Sequence, residues 1–316
     1  MEYRKLGASG LKVSPICLGT MMFGARTDAA EAGRIVDAAR GAGINFIDSA
    51  DAYAKGESER ITGKLISTDR EHWVLATKVG NAMGEGPNDG GLSRAWMMRA
   101  IDASLQRLNT DWIDIYYLHL DDASTPAEET LVAMVEIIAA GKARYFGVSN
   151  YRAWRMVQVA ELCGKLGVPA PIACQPYYNA MNRMPETEVL PACASYGLGV
   201  VPYSPLARGV LTGKYAPGQA PAADTRAGSK DKRMLETEFR EESLAMAQTL
   251  KAHAQKRGMS AGQFALNWVL NNRIVTSALA GPRTLTQWSE YLGALEHRFS
   301  AEDEALVDSL VKSGHP

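Results

Sequence analysis

Gly43-Ile-Asn-Phe-Ile-Asp-Ser-Ala-Asp-Ala-Tyr53, followed by Gly56 and Glu59, is a short apolar run that ends abruptly in acids and a tyrosine. Ile44, Phe46 and Ile47 suit a strand covered by protein on both faces, whereas Asp48, Asp51 and Tyr53 need water, hydrogen-bond partners or a ligand. A buried strand that spills into a polar loop is typical of a strand's carboxyl end in a parallel α/β sheet, where binding and catalysis are usually placed. The rest of the chain is organised by what comes to meet Asp48 and Tyr53.

Upstream, residues 1–14 alternate and turn at positions 7–10, which predicts a small hairpin before a buried strand at 16–19. Asp28 caps a helix running to about Arg40, which Gly41 and Gly43 end. Downstream, predicted helices at 57–66, 93–108, 126–141, 154–166 and 186–196 alternate with strands at 73–79, 113–119, 143–148, 172–175 and 198–203. A Gly/Ala/Pro-rich stretch at about 206–230 is far longer than an ordinary connection and is expected to act as a lid. Helices at 241–257 and 260–270, a strand at 274–280, a helix at 284–295 and a last helix capped by Ser300 complete the pattern. Eight strands, most followed by a helix, predict a closed (β/α)8 TIM barrel with an N-terminal β-hairpin and extra helices near the C-terminus. One domain is expected over 1–316, because no Gly-x-Gly-x-x-Gly follows the first strand and no change of composition marks a second unit.

With 46% apolar residues the chain can bury a large core, and its net charge of −1 gives no broad basic surface for nucleic acid or an anionic membrane. The amino-terminal residues are charged and lack the apolar core of a signal peptide, so a cytoplasmic location is expected. Cys17, Cys163, Cys174 and Cys193 are scattered among apolar neighbours without a Cys-x-x-Cys pair, a pattern of buried thiols rather than metal ligands; no metal site is expected.

In such a barrel Asp48, Lys78, His119, Gln175 and Tyr203 share one mouth, with Tyr53 in the adjoining loop. Their chemistry is coherent. A phenol, which ordinarily ionises near a pH of about 10, is a weak acid, and a nearby ammonium favours its ionised form. Lys78 supplies that charge, Asp48 compensates the burial of Lys78, and His119 orients a substrate oxygen. The set transfers protons without a strong nucleophile. Asp51 finds no partner in this scheme and is expected to stabilise its loop.

From Tyr3 to about Leu310 the chain resembles the aldo-keto reductases. Residues 43–53 resemble the family's glycine, Asp-(Ser/Thr)-Ala and tyrosine motif, and Thr77-Lys78 its lysine strand. Leu105-Gln-Arg-Leu-Asn-Thr-Asp-Trp-Ile-Asp-Ile-Tyr-Tyr-Leu-His119 is similar to its histidine strand, and Gly141-Lys-Ala-Arg-Tyr-Phe-Gly-Val-Ser-Asn150 to the segment leading into its cofactor site. The resemblance implies a catalytic tetrad of Asp48, Tyr53, Lys78 and His119. It implies a reaction in which NADPH gives hydride to an aldehyde or ketone while the tyrosine supplies the proton, reversibly.

For the cofactor the resemblance implies Ser149, Asn150 and Gln175 at the nicotinamide carboxamide, Tyr203 stacked on the ring, and Ser204, Pro205 and Leu206 beside the pyrophosphate. A cap on the following helix is the other role open to Ser149. Gly209 and Lys214 belong to a loop folding across the pyrophosphate, with Arg226 fastening its far end. Gly281, Arg283 and Thr284 suit the 2′-phosphate that separates NADP from NAD, and Gln287 and Glu290 the adenine. Tyr291 stands where the family commonly has asparagine. Phe23, Met83 and Leu120, with Met21, Met22, Asn81 and Asp121, are expected to wall the pocket for a small carbonyl substrate. The rival reading is an NADP-binding redox sensor resembling the potassium-channel β subunits. Oligomeric state is not legible.

Overall fold

The computed structural model describes residues 1–315. A two-stranded antiparallel hairpin, β1 (Arg4–Lys5) and β2 (Lys12–Val13), comes first. Eight parallel strands follow: β3 (Ile16–Gly19), β4 (Phe46–Asp48), β5 (Val74–Val79), β6 (Ile113–Leu118), β7 (Ala143–Ser149), β8 (Ala173–Gln175), β9 (Gly199–Val200) and β10 (Ala278–Ala280). They pair in the order β10-β3-β4-β5-β6-β7-β8-β9. Single parallel bridges from Val200 to Val275 and from Tyr203 to Leu279 bring the first and last strands together, so the sheet curls into the (β/α)8 barrel.

The helices fall where caps and apolar spacing put them. Asp28 accepts from the Glu31 amide at the start of α1 (Ala29–Gly41), and Ser93 from the Trp96 amide at the start of α3 (Arg94–Leu108). Between them lies α2 (Glu57–Ile66). Then come α4 (Ala127–Ala139), α5 (Ala153–Leu166), α6 (Val189–Tyr196), a short α7 (Lys232–Thr237), α8 (Glu241–Lys256), α9 (Ala261–Asn271), α10 (Leu285–Gly293) and α11 (Ala301–Leu310). Ser260 and Ser300 each close a capping box, at α9 and α11.

Two apolar layers result. Between strands and helices lies the larger one, including Ile35, Leu75, Ile101, Phe146 and Phe264. Inside the barrel, Cys17, Phe46, Ala76, Ile115, Tyr117 and Val201 pack against Leu6 and Val13 of the hairpin, which plugs the end opposite the strands' carboxyl termini. All four cysteines are buried free thiols. Among the described residues no helix is long and apolar enough to cross a membrane.

Three expectations shift. The strand at 198–203 contracts to Gly199–Val200 and that at 274–280 to Ala278–Ala280. Pro202 has no amide hydrogen to donate, and its carbonyl instead accepts from the Leu279 amide at 2.9 Å. Beyond the long stretch, α7 occupies residues to which the sequence pattern assigns no element. Residues 206–230 are not featureless either, since Ala207–Thr212 is coiled into tight turns kinked at Arg208 and Gly209.

Candidate active site

Asp48 ends β4 and Lys78 lies near the end of β5, with Asp48 in register with Ala76. Pairing continues into the loop, where Ser49 donates its amide to the Ala76 carbonyl and Asp51 to that of Lys78. This locks the Lys78 side chain, which has no solvent exposure, against the loop. Its Nζ donates to Asp48 Oδ1, to the Ser49 carbonyl at 2.6 Å and to the Tyr53 hydroxyl at 3.3 Å. Gln175 Nε2 holds the other Asp48 oxygen at 2.9 Å. Burial pulls the Lys78 ammonium down, but Asp48 and then Tyr53 outweigh it and hold the lysine charged. Burial also pushes the Tyr53 phenol up, and Lys78 offsets this only in part. Lys78 does act to lower the phenol's pKa, as expected, but desolvation outweighs it, so the net shift is upward and Tyr53 keeps its proton at neutral pH.

After Tyr53 the chain makes three consecutive left-handed residues, Ala54 (φ 48°), Lys55 (φ 54°) and Gly56 (φ 88°). Left-handed non-glycine residues cost on the order of 1–3 kcal/mol each and persist where the surroundings over-determine them. Here Arg107 from α3 lies so close that a Cβ on Gly56 would sit 2.6 Å from its Cδ. Arg107 is fixed by buried Glu59 at 2.6 Å, and Glu59 also accepts from Thr77 at 2.5 Å, one residue before Lys78. Asp51 lies beside this network with neither carboxylate oxygen satisfied by a well-formed hydrogen bond among the described residues. Burial, and then the Glu59 charge, raise its pKa to about 7. The Ala52 backbone amide and the charges of Arg107 and Lys78 offset this only in part.

His119 follows β6 and meets the ring of Tyr53 edge-on, with centroids 5.9 Å apart. Asn81 Nδ2 lies 2.8 Å from His119 Nδ1. An amide nitrogen only donates, so Nδ1 is the acceptor and the neutral ring carries its proton on Nε2. Burial, then the charges of Lys78 and Arg233, pull the imidazole down to about 3, so it stays neutral at physiological pH.

Asp48, Tyr53, Asn81, His119, Ser149, Asn150, Gln175 and Tyr203 line one end of a cavity of about 560 Å³, with Lys78 behind Asp48 and Tyr53. Asn150 sits in the left-handed region (φ 58°), its amide donating to the His119 carbonyl at 2.8 Å and its carbonyl accepting from the Tyr203 hydroxyl at 2.7 Å. Ser149 donates to the Gln175 carbonyl at 2.9 Å. It caps nothing, because α5 begins after Arg152. Tyr203 stacks on Tyr177 at 5.5 Å.

The other end of the cavity is strongly cationic. Ser204, Pro205, Leu206, Arg208, Gly209, Lys214, Arg226, Gly281, Arg283, Gln287, Glu290 and Tyr291 line it. A second run of left-handed residues, Ala207 (φ 46°), Arg208 (φ 52°) and Gly209 (φ 97°), bends the backbone here. A Cβ on Gly209 would lie 3.0 Å from the Lys214 ammonium, so glycine admits the lysine against the main chain. Arg226 is pushed below its ordinary pKa by burial and then by repulsion from Arg208, with only partial relief from Asp231. Arg283 reaches the Asp224 carbonyl at 3.3 Å, and Gln287 accepts from the Arg283 amide at 2.8 Å. Glu290 takes the hydroxyl of Ser260. Cations crowded until one loses basicity suit a polyanion such as a dinucleotide's phosphates.

Some expected residues fall outside. Phe23 is fully buried in the core between strands and helices, and its amide turns back to the Thr20 carbonyl. Met83 packs on the core from the glycine-rich loop, and Leu120 stands beside Gly80. None of the three lines the cavity; Met21, Met22 and Ala52 do. Asp121 is engaged by Arg155 at 3.0 Å, and Thr284 caps α10 instead of lining the cavity. Arg233, on the unforeseen α7, was missed and lines the site.

The chain matches the family model described as Aldo/keto reductase family over residues 15–312. It is 38% identical over 301 residues to a probable voltage-gated potassium channel subunit beta of Oryza sativa subsp. japonica, covering 94% of this chain and 92% of that one. It is 34% identical to the L-glyceraldehyde 3-phosphate reductase of Escherichia coli (strain K12), covering 99% and 93%. It is 33% identical to the versiconal hemiacetal acetate reductase of Aspergillus parasiticus, covering 100% and 99%. With a matching barrel and a match along nearly its whole length, the chain belongs to the aldo/keto reductase family.

Proposed function

We propose that the protein is an NADPH-dependent carbonyl reductase in which Tyr53 is the acid that protonates the substrate oxygen. The observation that carries this reading is the meeting of three groups at one end of the cavity: a protonated phenol, an ammonium 3.3 Å from its oxygen, and a neutral imidazole edge-on to its ring. The cationic end fits a phosphate-bearing dinucleotide: Arg208, Lys214 and Arg226 would hold the pyrophosphate and Arg283 the 2′-phosphate. Tyr203 and Asn150 would receive the nicotinamide. NADPH held there supplies the hydride.

The chain's own groups handle the oxygen and the proton. His119, its Nδ1 occupied by Asn81, presents Nε2–H as a neutral donor to the carbonyl oxygen. Tyr53 gives its proton to that oxygen as negative charge develops on it, and the phenolate left behind is stabilised by Lys78. Asp48 keeps Lys78 charged in a dry site, and Gln175 keeps Asp48 oriented. In the oxidation direction Tyr53 takes the proton back.

We further propose that the chain works as a single barrel domain whose residues 206–230 cover the cofactor. The test of the reading is NADPH consumption with a panel of aldehydes beside Tyr53→Phe. The variant is expected to bind NADPH as the native protein does and to lose on the order of 10²–10⁴ in kcat. Native-like turnover by Tyr53→Phe would remove the tyrosine from its role. The second reading, a redox-sensing subunit, is favoured by the potassium-channel relatives; it predicts tight NADPH binding with little turnover on any aldehyde.

A further inference from the structure

We propose that Arg233 selects carbonyl substrates that carry an anionic group, a carboxylate or a phosphate. The inference rests on the reductase reading above and goes on to name a substrate class.

Arg233 lies on α7 and lines the cavity at its catalytic end. Its guanidinium reaches the Tyr203 hydroxyl at 3.4 Å, Tyr203 donates to Asn150, and Asn150 holds the carbonyl of His119. Three hydrogen bonds therefore connect Arg233 to the residue that orients the substrate oxygen. Its charge is felt there, since it adds to the lowering of the His119 pKa and offsets part of the rise that burial gives Tyr203.

What separates Arg233 from its neighbours is the lack of an acid. Asp231 faces Arg226 at 3.7 Å, Glu236 faces Lys232 at 3.9 Å, and Glu238 holds Arg208 at 3.0 Å and Tyr177 at 2.8 Å. The acids on and beside α7 are thus engaged by other groups, and Arg233 has no carboxylate partner among the described residues. The cavity wall near Tyr53 offers Met21, Met22 and Ala52, none of which can neutralise it. A guanidinium without a carboxylate partner on the wall of the cavity offers an anion a planar fork of donors, suited to the paired oxygens of carboxylate or phosphate. The phosphates of the dinucleotide already have Arg208, Lys214, Arg226 and Arg283 at the other end, which leaves Arg233 for the substrate.

The test compares matched aldehydes with and without charge: 5-oxopentanoate against its methyl ester, and glycolaldehyde phosphate against glycolaldehyde. The native enzyme is expected to favour the charged member of at least one pair by about tenfold or more in kcat/KM. Which pair responds tells carboxylate from phosphate. Arg233→Met is expected to abolish that preference, the charged aldehyde losing about tenfold more in kcat/KM than its neutral counterpart, and Arg233→Lys is expected to restore part of it. Because Arg233 is exposed, the thermal midpoint should not move. An unchanged charge preference in Arg233→Met, or an equal loss on charged and neutral aldehydes, would overturn the proposal. So would a selective loss of NADPH affinity, which would assign the residue to the cofactor. If no aldehyde is consumed by the native protein, the reductase reading fails; titration of the NADP⁺-loaded protein with glutarate and with inorganic phosphate then decides separately whether Arg233 binds an anion.

Discussion

Two loops, one after β4 and one after β9, each run through three consecutive left-handed residues, yet they are held in opposite ways. Around Ala54, Lys55 and Gly56 the strain is answered by the protein itself: Asp48 with Lys78 and Glu59 with Arg107 are buried ion pairs closed by further hydrogen bonds. Around Ala207, Arg208 and Gly209 the side chains leave positive charge in excess, with Lys214 and Arg283 lacking carboxylate partners among the described residues. The first loop is complete as folded, as a site that must hold reacting groups in fixed geometry has to be. The second is completed by what binds. That contrast makes the first loop a matter of stability and the second a matter of affinity, and each can be tested separately.

The largest effect is expected from Lys78→Met, which leaves Asp48 buried and without its counter-ion. Breaking one side of a buried pair costs about 3–5 kcal/mol, to be read as the loss of unfolding free energy in urea. A loss below about 1 kcal/mol would show that the first loop does not depend on its ion pairs. Asp51 is the exception within the same loop, being 1% exposed with no compensating cation in contact. Its pKa of about 7 in the folded protein, against about 4 unfolded, means that the folded state binds more protons between those values. Stability from this residue is full below about pH 4, falls as pH rises through that window and levels off above about 7. The difference corresponds to about 4 kcal/mol at most. Asp51→Asn is expected to flatten the decline, seen as a smaller fall of the urea midpoint between about pH 4 and 7 than in the native protein.

The first loop was legible from its own residues, whereas Gly209, Lys214 and Arg226 at the second were expected only through the family resemblance, for physical reasons. A strand's apolar run stops where its polar end begins, so Asp48, Lys78 and His119 follow from the pattern of β4, β5 and β6. The helix starts at Asp28, Ser93, Ser260 and Ser300 were legible because a cap is a local hydrogen bond. Side-chain direction in a loop is not local. Phe23 was expected in the pocket and turns into the core, while its neighbours Met21 and Met22 face the cavity. The contact of Asn81 with His119 spans 38 residues, and no spacing announces it. Helix α7 is six mostly polar residues in a Gly- and Ala-rich context, too short to show a period, and with it Arg233 went unseen.

The smallest expected effect is the one that sharpens the contrast most. In Arg283→Ala the backbone bonds that place the residue remain, since Thr27 donates to its carbonyl and its amide donates to Gln287 whatever the side chain. The guanidinium itself contributes one bond to a carbonyl and repulsion that helps lower the pKa of Arg226. The cofactor-free protein should therefore keep its thermal midpoint or gain slightly. A phosphate contact of this kind is worth about 1.5–3 kcal/mol, or on the order of 10–100-fold in affinity. NADPH binding, followed by fluorescence titration, should weaken by that factor while NADH binding changes by less than about twofold. A destabilised apoprotein would mean that Arg283 belongs to the fold, and equal losses for NADPH and NADH would mean that it does not read the 2′-phosphate. A change confined to NADPH, without loss of stability, is what distinguishes charge set aside for a ligand from charge that holds the barrel together.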